Sequence, residues 1–206
     1  MLEEVLFRCK QIPGVDVVAL AIPDTAENDI IEKVAPHNLR HVEWGIPIVR
    51  GPEHDVLARY AHAAEAVNAD VIMRITADCP LIDPEVCGEV LTVYRQRDAA
   101  YCSNCHPRTW PHGFDCEVFS ASLLRRANEA VVQVHCPPRE HVTPHIRLLA
   151  DGNSHNVEHQ GENRSHLRWT LDTLEDYVRI WRVFEEQMGV MSDKPPYRTP
   201  FGETKA

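Results

Sequence analysis

The chain has 206 residues, of which 44% are hydrophobic and 25% charged, and this is enough material for the core of one α/β domain. The 31 acidic residues outnumber the 21 Lys and Arg, and a net charge of -10 excludes a general binder of nucleic acids or anionic membranes. No apolar run approaches the ~18 residues of a membrane span. The first residues lack the pattern of a secretory signal, so we expect a cytoplasmic protein whose seven cysteines are free thiols.

Apolar periodicity predicts strands that alternate with helices along most of the chain. The predicted helices are 2–11, 29–34, 54–67, 84–95, 122–130, 140–149 and 173–188. The predicted strands are 15–22, 46–49, 71–75, 99–103, 114–119 and 167–171. This alternation is typical of a doubly wound, mostly parallel sheet. We expect residues 1–190 to form this domain and the aperiodic, proline-containing residues 191–206 to be an extended or disordered tail.

Two acids directly follow buried strands. Asp78 comes after the strand predicted at 71–75, and Pro80 prevents that strand from continuing. Asp172 follows the last predicted strand in the same way. Ligands of open α/β sheets bind outside the carboxyl ends of the strands, where carboxylates can hold Mg²⁺ and, through it, phosphate oxygens. Either acid alone could instead cap the helix that follows it, but the pair favours a shared metal site.

Asp115 and Glu117 are separated by the period of a strand and should therefore share one face. They could form the solvent face of an edge strand, or they could contact a polar substrate or add a metal ligand. His141 lies near the start of a predicted helix and is a candidate substrate contact.

Cys102, Cys105 and His106 match the pattern of c-type haem attachment. Haem attachment requires export, for which the sequence carries no signal. A structural zinc with His112 and Cys116 is a second alternative, although its ligand pairs would be irregularly spaced. We expect these cysteines to bind neither metal nor haem.

Six short motifs follow one another in an order that resembles the cytidylyltransferase superfamily. The resemblance is specifically to its spore-coat polysaccharide (SpsF-like) branch, which is related to the enzymes that make CMP-Kdo and CMP-sialic acid. The motifs are RG-x3-DVLARY at 50–60, RITADCPLID at 74–83, YCSN at 101–104, GFDCEVF at 113–119, REHVTP at 139–144 and RWTLDTLED at 168–176. The match covers nearly everything except the tail.

The resemblance implies a Rossmann-like, glycosyltransferase-A-like nucleotidyltransferase in which a sugar nucleophile attacks the α-phosphate of CTP and expels pyrophosphate. It implies that Asp78 and Asp172 are the catalytic acids and hold Mg²⁺. The nucleotide contacts it implies are Arg50, Gly51, Asp55 and Arg74, and the substrate contacts are Asp115, Glu117 and His141. The implied partners are CTP and a sugar-type small molecule, with a homodimer as the expected oligomer.

Family members carry a strand and a basic phosphate loop, of the type Ala-Arg-x-x-Ser-x-Arg-Leu-Pro-Gly-Lys, ahead of the helix that opens this chain. No such loop occurs in the sequence, so we expect a sheet without its usual first strand and weak nucleotide binding. Two alternatives to an active cytidylyltransferase stay open. One is a truncated, inactive relative that serves as a binding or assembly protein, and the other is a glycosyltransferase of the same fold.

Overall fold

The computed structural model describes residues 1–34, 45–131 and 137–188. The strands are β1 (Leu20–Pro23), β2 (Ile48–Gly51), β3 (Val71–Arg74), β4 (Tyr101–Ser103), β5 (Glu117–Ser120) and β6 (Ser154–Asn156). The helices are α1 (Leu2–Cys9), α2 (Asp29–Val34), α3 (Val56–Ala66), α4 (Pro84–Gln96), α5 (Ala121–Ala130), α6 (Pro137–His141), α7 (Thr143–Leu149) and α8 (Leu174–Met188). None of these helices combines the length and the apolar character that crossing a bilayer requires. The predicted tail at 191–206 lies outside the described residues.

Strand order and direction confirm the α/β class and add one feature to it. β1 and β2 pair in parallel as a two-stranded sheet. The larger sheet has the order β3-β5-β4-β6, in which β5 runs antiparallel to both β3 and β4, and β6 runs parallel to β4. The strand directions are therefore mixed. The antiparallel direction of β5 was not predicted from the sequence, which indicated a mostly parallel sheet. Within the described residues, β1 pairs only with β2 and β3 pairs only with β5, so no ladder joins the two sheets.

Several predicted elements change at their ends. The helix predicted at 140–149 is divided into α6 and α7 at Val142, which has a φ of 66°. The strand predicted at 15–22 forms only at Leu20–Pro23. The strand predicted at 167–171 is wrong, because this segment makes only an isolated parallel bridge between His112 and Arg168. The short polar strand β6 was not predicted.

Side-chain caps explain where helices α3 and α4 begin. The Asp83 carboxylate accepts from the backbone N–H of Glu85 at 2.8 Å, and Pro84 occupies the first turn of α4, where a missing N–H does no harm. Asp55 caps α3 in the same manner, accepting from the Ala58 N–H at 3.0 Å. These caps fix the directions in which α3 and α4 leave the sheet.

Both sheets pack onto a shared apolar core. One cluster joins α1 and α4 to both sheets and includes Val5, Leu6, Val18, Ile82, Val90, Leu91 and Val118. A second cluster joins α3, α5 and α7 to β5 and includes Leu57, Phe119, Leu124 and Ile146. A third, smaller cluster seats α8 through Ile180 against Leu81 and Phe114. The loops after β3 and before β5 are therefore held between packed helices.

Candidate functional site

Asp78 lies in the loop that follows β3, with its side chain partly buried. Its backbone carbonyl accepts a hydrogen bond from the Leu171 N–H at 2.8 Å. This bond holds the segment that carries Asp172 directly beside the Asp78 loop. The two acids singled out from the sequence thus lie at the same end of the sheet, and the shared metal stays a prediction.

The Asp172 carboxylate is half-exposed and forms an ion pair with Arg168. It does not cap α8. Instead, the buried Asp176 carboxylate accepts from the backbone N–H groups of Asp172 at 3.2 Å and Thr173 at 3.0 Å. Arg179 also donates to Asp176, at 3.2 Å. The capping interpretation of Asp172 is therefore wrong, because the Thr173 hydroxyl accepts from the Asp176 N–H at 3.2 Å at the start of α8, while the Asp172 carboxylate stays half-exposed.

Burial acts to raise the pKa of Asp176, but hydrogen bonds from the Asp172 and Thr173 N–H groups and from the Thr173 hydroxyl and Arg168 outweigh it, so the pKa of Asp176 lies below its ordinary value. Asp176 is thus ionised whenever the protein is near neutral pH. Its charge holds Arg168 and Arg179 around the turn that presents Asp172.

Asp115 lies just before β5 and is bound by both terminal nitrogens of Arg108, with Nη2 at 2.6 Å from Oδ2. Burial, together with the nearby carboxylates of Asp78 and Asp115, raises the pKa of the Cys79 thiol. Asp115 therefore belongs to the same region as Asp78. Arg108 was not identified from the sequence, because a pairing across a seven-residue loop leaves no local pattern.

Glu117 points into the interior, and the solvent-face alternative for it is wrong, because only 3% of this residue is exposed. Arg74 Nη1 donates to Glu117 Oε2 at 2.7 Å, and the Tyr101 hydroxyl donates to Oε1 at 2.5 Å. Burial and the adjacent Glu117 raise the pKa of Tyr101, so the phenol keeps its proton as the donor. The Nε of Arg74 is buried and has no partner in the described part of the chain. Arg74 therefore retains one donor that a ligand could satisfy.

The segment predicted to bind nucleotide is already engaged in internal contacts. Arg50 forms ion pairs with Asp29 at 2.8 Å and Glu32 at 2.5 Å. Asp55 caps α3 and is bound by Arg139 at 2.7 Å in an almost fully buried ion pair. These contacts give Arg50 and Asp55 structural roles, and their contact with nucleotide stays a prediction.

Gly51 lets another side chain cross the end of β2. A Cβ at this position would lie 2.7 Å from Cγ of Arg59, closer than carbon atoms approach. Arg59 Nε and Nη1 are buried without partners among the described residues. Partial burial lowers the pKa of Arg59, which nevertheless stays cationic at neutral pH. The sequence motif contained Arg59, but only the structure shows unused donors beside Gly51.

His141 is exposed at the end of α6. No hydrogen bond or ion pair in the described residues joins it to Asp115 or Glu117. The contact of His141 with substrate therefore stays a prediction.

Cys105, His106 and Glu117 place one ligand atom each within 4.8 Å of one another. Burial, followed by the nearby Glu117 and Asp115 carboxylates, raises the pKa of Cys105 to about 12. The Glu117 oxygens already accept from Arg74 and Tyr101. A protonated thiol and an occupied carboxylate make this group a poor metal site, and the expectation that the cysteines bind no metal stays a prediction.

The fold defines a class of protein. The chain superposes with a TM-score of 0.75 on a cytidylyltransferase from Leptospira borgpetersenii, at 26% identity, covering 96% of this chain and 87% of that one. CMP:2-keto-3-deoxy-manno-octonic acid synthetase complexed with CTP shares the fold at 13% identity and a TM-score of 0.59, over 90% of this chain and 87% of that one. A Mycobacterium tuberculosis protein solved with manganese also shares the fold, at 15% identity and a TM-score of 0.57. The match covers 88% of this chain and 85% of that one. The architecture is that of the Rossmann-like nucleotidyltransferases.

Sequence comparison identifies the branch. The chain is 30% identical over 175 residues to the spore coat polysaccharide biosynthesis protein SpsF of Bacillus subtilis, covering 83% of this chain and 68% of that protein. No family model matches the chain. The chain belongs to the cytidylyltransferase superfamily, in its SpsF-like branch.

Proposed function

We propose that this protein is a Mg²⁺-dependent cytidylyltransferase that activates a sugar or acidic sugar as its CMP derivative for surface polysaccharide synthesis. The observation that carries the proposal is the hydrogen bond from the Leu171 N–H to the Asp78 carbonyl, which holds the segment that carries Asp172 beside the Asp78 loop. The SpsF relationship and the cytidylyltransferase likeness support the choice of CTP.

The donors near Asp78 fit a hard divalent cation. Asp78 and Asp172 offer carboxylate oxygens, which are the ligands that Mg²⁺ prefers. Asp172 shares its carboxylate with the half-exposed Arg168, and an exposed ion pair of this kind contributes little stability and opens readily. Asp78 and Asp172 would hold the ion, which would supply neutralisation of phosphate charge.

In the proposed reaction, a hydroxyl oxygen of the sugar forms a bond to the α-phosphorus of CTP. The bond from that phosphorus to the bridging oxygen of pyrophosphate breaks, pyrophosphate leaves with the electron pair, and the hydroxyl proton passes to solvent. Catalysis of such transfers consists mainly of positioning and charge stabilisation. Gly51, Arg50 and Arg74 would contact the nucleotide, with the unused Nε of Arg74 as one donor.

Asp115, Glu117 and His141 are proposed to act on the sugar side. The Arg108 and Arg74 guanidinium groups fix Asp115 and Glu117 in orientation, which suits them to position a polyhydroxylated molecule. His141 would act from the end of α6.

The test is release of pyrophosphate from CTP and Mg²⁺ in the presence of a panel of sugars and sugar acids. Asp78→Asn should abolish turnover, whereas Asp16→Asn, the same change at an exposed site, should leave it unchanged. Pyrophosphate release that is unaffected by Asp78→Asn would contradict the assigned site. Transfer from a preformed nucleotide-sugar without pyrophosphate release would identify a glycosyltransferase. CTP binding without turnover would identify a binding protein.

A further inference from the structure

The loop before β5 carries a histidine, His112, that has no role in the reaction described above. Its side chain is partly buried, and its imidazole makes no hydrogen bond, ion pair or ring contact with any residue in the described part of the chain. Placing a polar ring at a partly buried position without a partner costs free energy, because lost contacts with water are not replaced. The imidazole is therefore available to a ligand.

Backbone contacts on both sides fix the position of His112. Its N–H donates to the Leu167 carbonyl at 3.0 Å, and its carbonyl accepts from the Trp169 N–H at 2.7 Å. Gly113, with a φ of 100°, packs so closely that a Cβ there would lie 2.6 Å from the Trp169 carbonyl. The backbone thus holds the imidazole in place, and the ring needs no side-chain bond of its own.

The bridge partner of His112 shows which way its side chain points. His112 pairs with Arg168 across an isolated parallel bridge, so the two side chains leave the same face of this segment. Arg168 in turn forms an ion pair with Asp172. His112 therefore faces the side of the segment on which the Asp172 carboxylate lies.

The charged groups around His112 keep its ring neutral. Burial, followed by the Arg108 charge, lowers the pKa of His112, while Asp115 opposes this shift and Arg168 adds to it. The ring is therefore uncharged near neutral pH. Both neighbouring guanidinium groups are already paired, Arg108 with Asp115 and Arg168 with Asp172. His112 is thus a neutral polar group between two ion pairs.

This chemistry matches a hydroxyl group. A neutral imidazole offers one donor and one acceptor nitrogen, and a hydroxyl likewise both donates and accepts. A carboxylate or a phosphate would instead favour a cation with free donors, and the two cations beside His112 are occupied.

We propose that His112 is a specificity-determining residue that hydrogen-bonds a hydroxyl group of the sugar, between Asp115 and Asp172. The inference rests on the proposed function, which assigns Asp115 to the sugar side and Asp172 to the metal. It adds a neutral contact to the charged groups already placed there.

The first test measures pyrophosphate release from CTP and Mg²⁺ with the most active member of the sugar panel. His112→Phe keeps a planar ring but removes both nitrogens. It should raise the KM for the sugar by about 3- to 10-fold, the effect of one hydrogen bond, and leave the KM for CTP unchanged. His112→Gln, which again offers a donor and an acceptor, should recover part of the loss.

Two controls separate contact from stability. The melting temperature of His112→Phe should equal that of the wild type, because the imidazole makes no hydrogen bond within the described residues that phenylalanine would lose. His155→Phe makes the same change at another partly buried histidine, on β6, and should alter neither KM.

The second test does not depend on turnover. Diethyl pyrocarbonate modifies neutral imidazoles, and mass spectrometry reports the modification of each histidine separately. A panel sugar added together with CTP and Mg²⁺ should slow the modification of His112 several-fold and leave that of His155 unchanged. CTP and Mg²⁺ without sugar should give no protection.

The outcomes distinguish failure of the contact from failure of the reaction. Turnover with an unchanged sugar KM in His112→Phe would overturn the contact and leave the proposed function standing. A lower melting temperature with both KM values raised would identify a structural role, and protection by CTP and Mg²⁺ alone would identify a nucleotide contact; either overturns the inference. Protection by a sugar without turnover would support the contact and refute the reaction, whereas absence of both would overturn both.

Discussion

Replacing Asp55 separates a structural role from a predicted ligand-binding role. Its carboxylate caps α3 through the Ala58 N–H and pairs with Arg139, whose side chain is only 8% exposed. Loss of an N-cap costs about 1 kcal/mol, and leaving a buried charge without its partner costs about 3–5 kcal/mol. Asp55→Ala should therefore lower the free energy of unfolding by about 4–6 kcal/mol, a large part of the ~5–15 kcal/mol typical of a domain.

Asp55→Asn divides this effect, because asparagine caps helices as well as aspartate but carries no charge. We expect it to be more stable than Asp55→Ala by about 1 kcal/mol, the value of the cap. Urea unfolding followed by circular dichroism measures both variants, with Asp16→Ala as the exposed control. An Asp55→Ala variant within ~1 kcal/mol of the wild type would refute the reasoning, because a buried pair cannot be removed so cheaply.

The same variants address nucleotide binding. If Asp55→Asn remains folded at the assay temperature and its CTP affinity by calorimetry is unchanged, then Asp55 acts through the fold alone. Loss of CTP binding by a folded Asp55→Asn protein would instead support the predicted nucleotide contact. Arg139→Met combined with Asp55→Ala should recover part of the lost stability, since it removes the uncompensated charge.

Three further outcomes are expected. Asp176→Asn should lower the melting temperature at neutral pH, through its lost charged hydrogen bonds. Because the pKa of Asp176 is depressed in the folded state, this contribution is present above its ordinary pKa of 3.8 and disappears as the pH falls through the lower folded value, so acid titration of both proteins should converge. Gly51→Ala should lower the melting temperature, since its Cβ would meet Arg59 Cγ at 2.7 Å, an overpacking that costs about 1–3 kcal/mol. A melting temperature equal to that of the wild type would show that Arg59 moves aside freely. Elemental analysis should find no stoichiometric zinc on Cys105, whereas one zinc per chain would contradict the proton and hydrogen-bond assignments made for that cluster.

The elements predicted well are those whose signals are local. Asp83 and Pro84 mark the start of α4 in the sequence, and the apolar run ahead of Asp78 predicts β3. The failures have non-local causes. β6 has the polar sequence Ser154–Asn156 and exists because β4 offers it a free edge, which no local pattern reports. The break at Val142 requires a positive φ in a β-branched residue, a conformation that tertiary packing must impose.

The candidate site shows the same difference between local signals, which the sequence carries, and non-local contacts, which it does not. The apolar run of β3 correctly places Asp78 just after a strand, whereas Asp172 follows a segment that forms no strand and is held beside the Asp78 loop by the Leu171 N–H. The partners of the predicted residues were not foreseeable. Asp55 and Arg139 are 84 positions apart, and Arg74 and Glu117 are 43 apart. Sequence periodicity carries no information about such distant ion pairs, so it could not show which predicted ligands are already occupied.

The division into two sheets has a mechanical consequence. A hydrogen-bonded ladder fixes its strands at about 4.8 Å, whereas packed side chains permit small rotations of one unit against another. The unit of β1 and β2, which carries Gly51, meets the unit that carries Asp78 through shared apolar contacts that include Val18 and Ile75. We therefore expect the volume of core side chains to set the spacing between the predicted nucleotide and metal groups, so that enlarging or trimming buried Val18 should change CTP affinity.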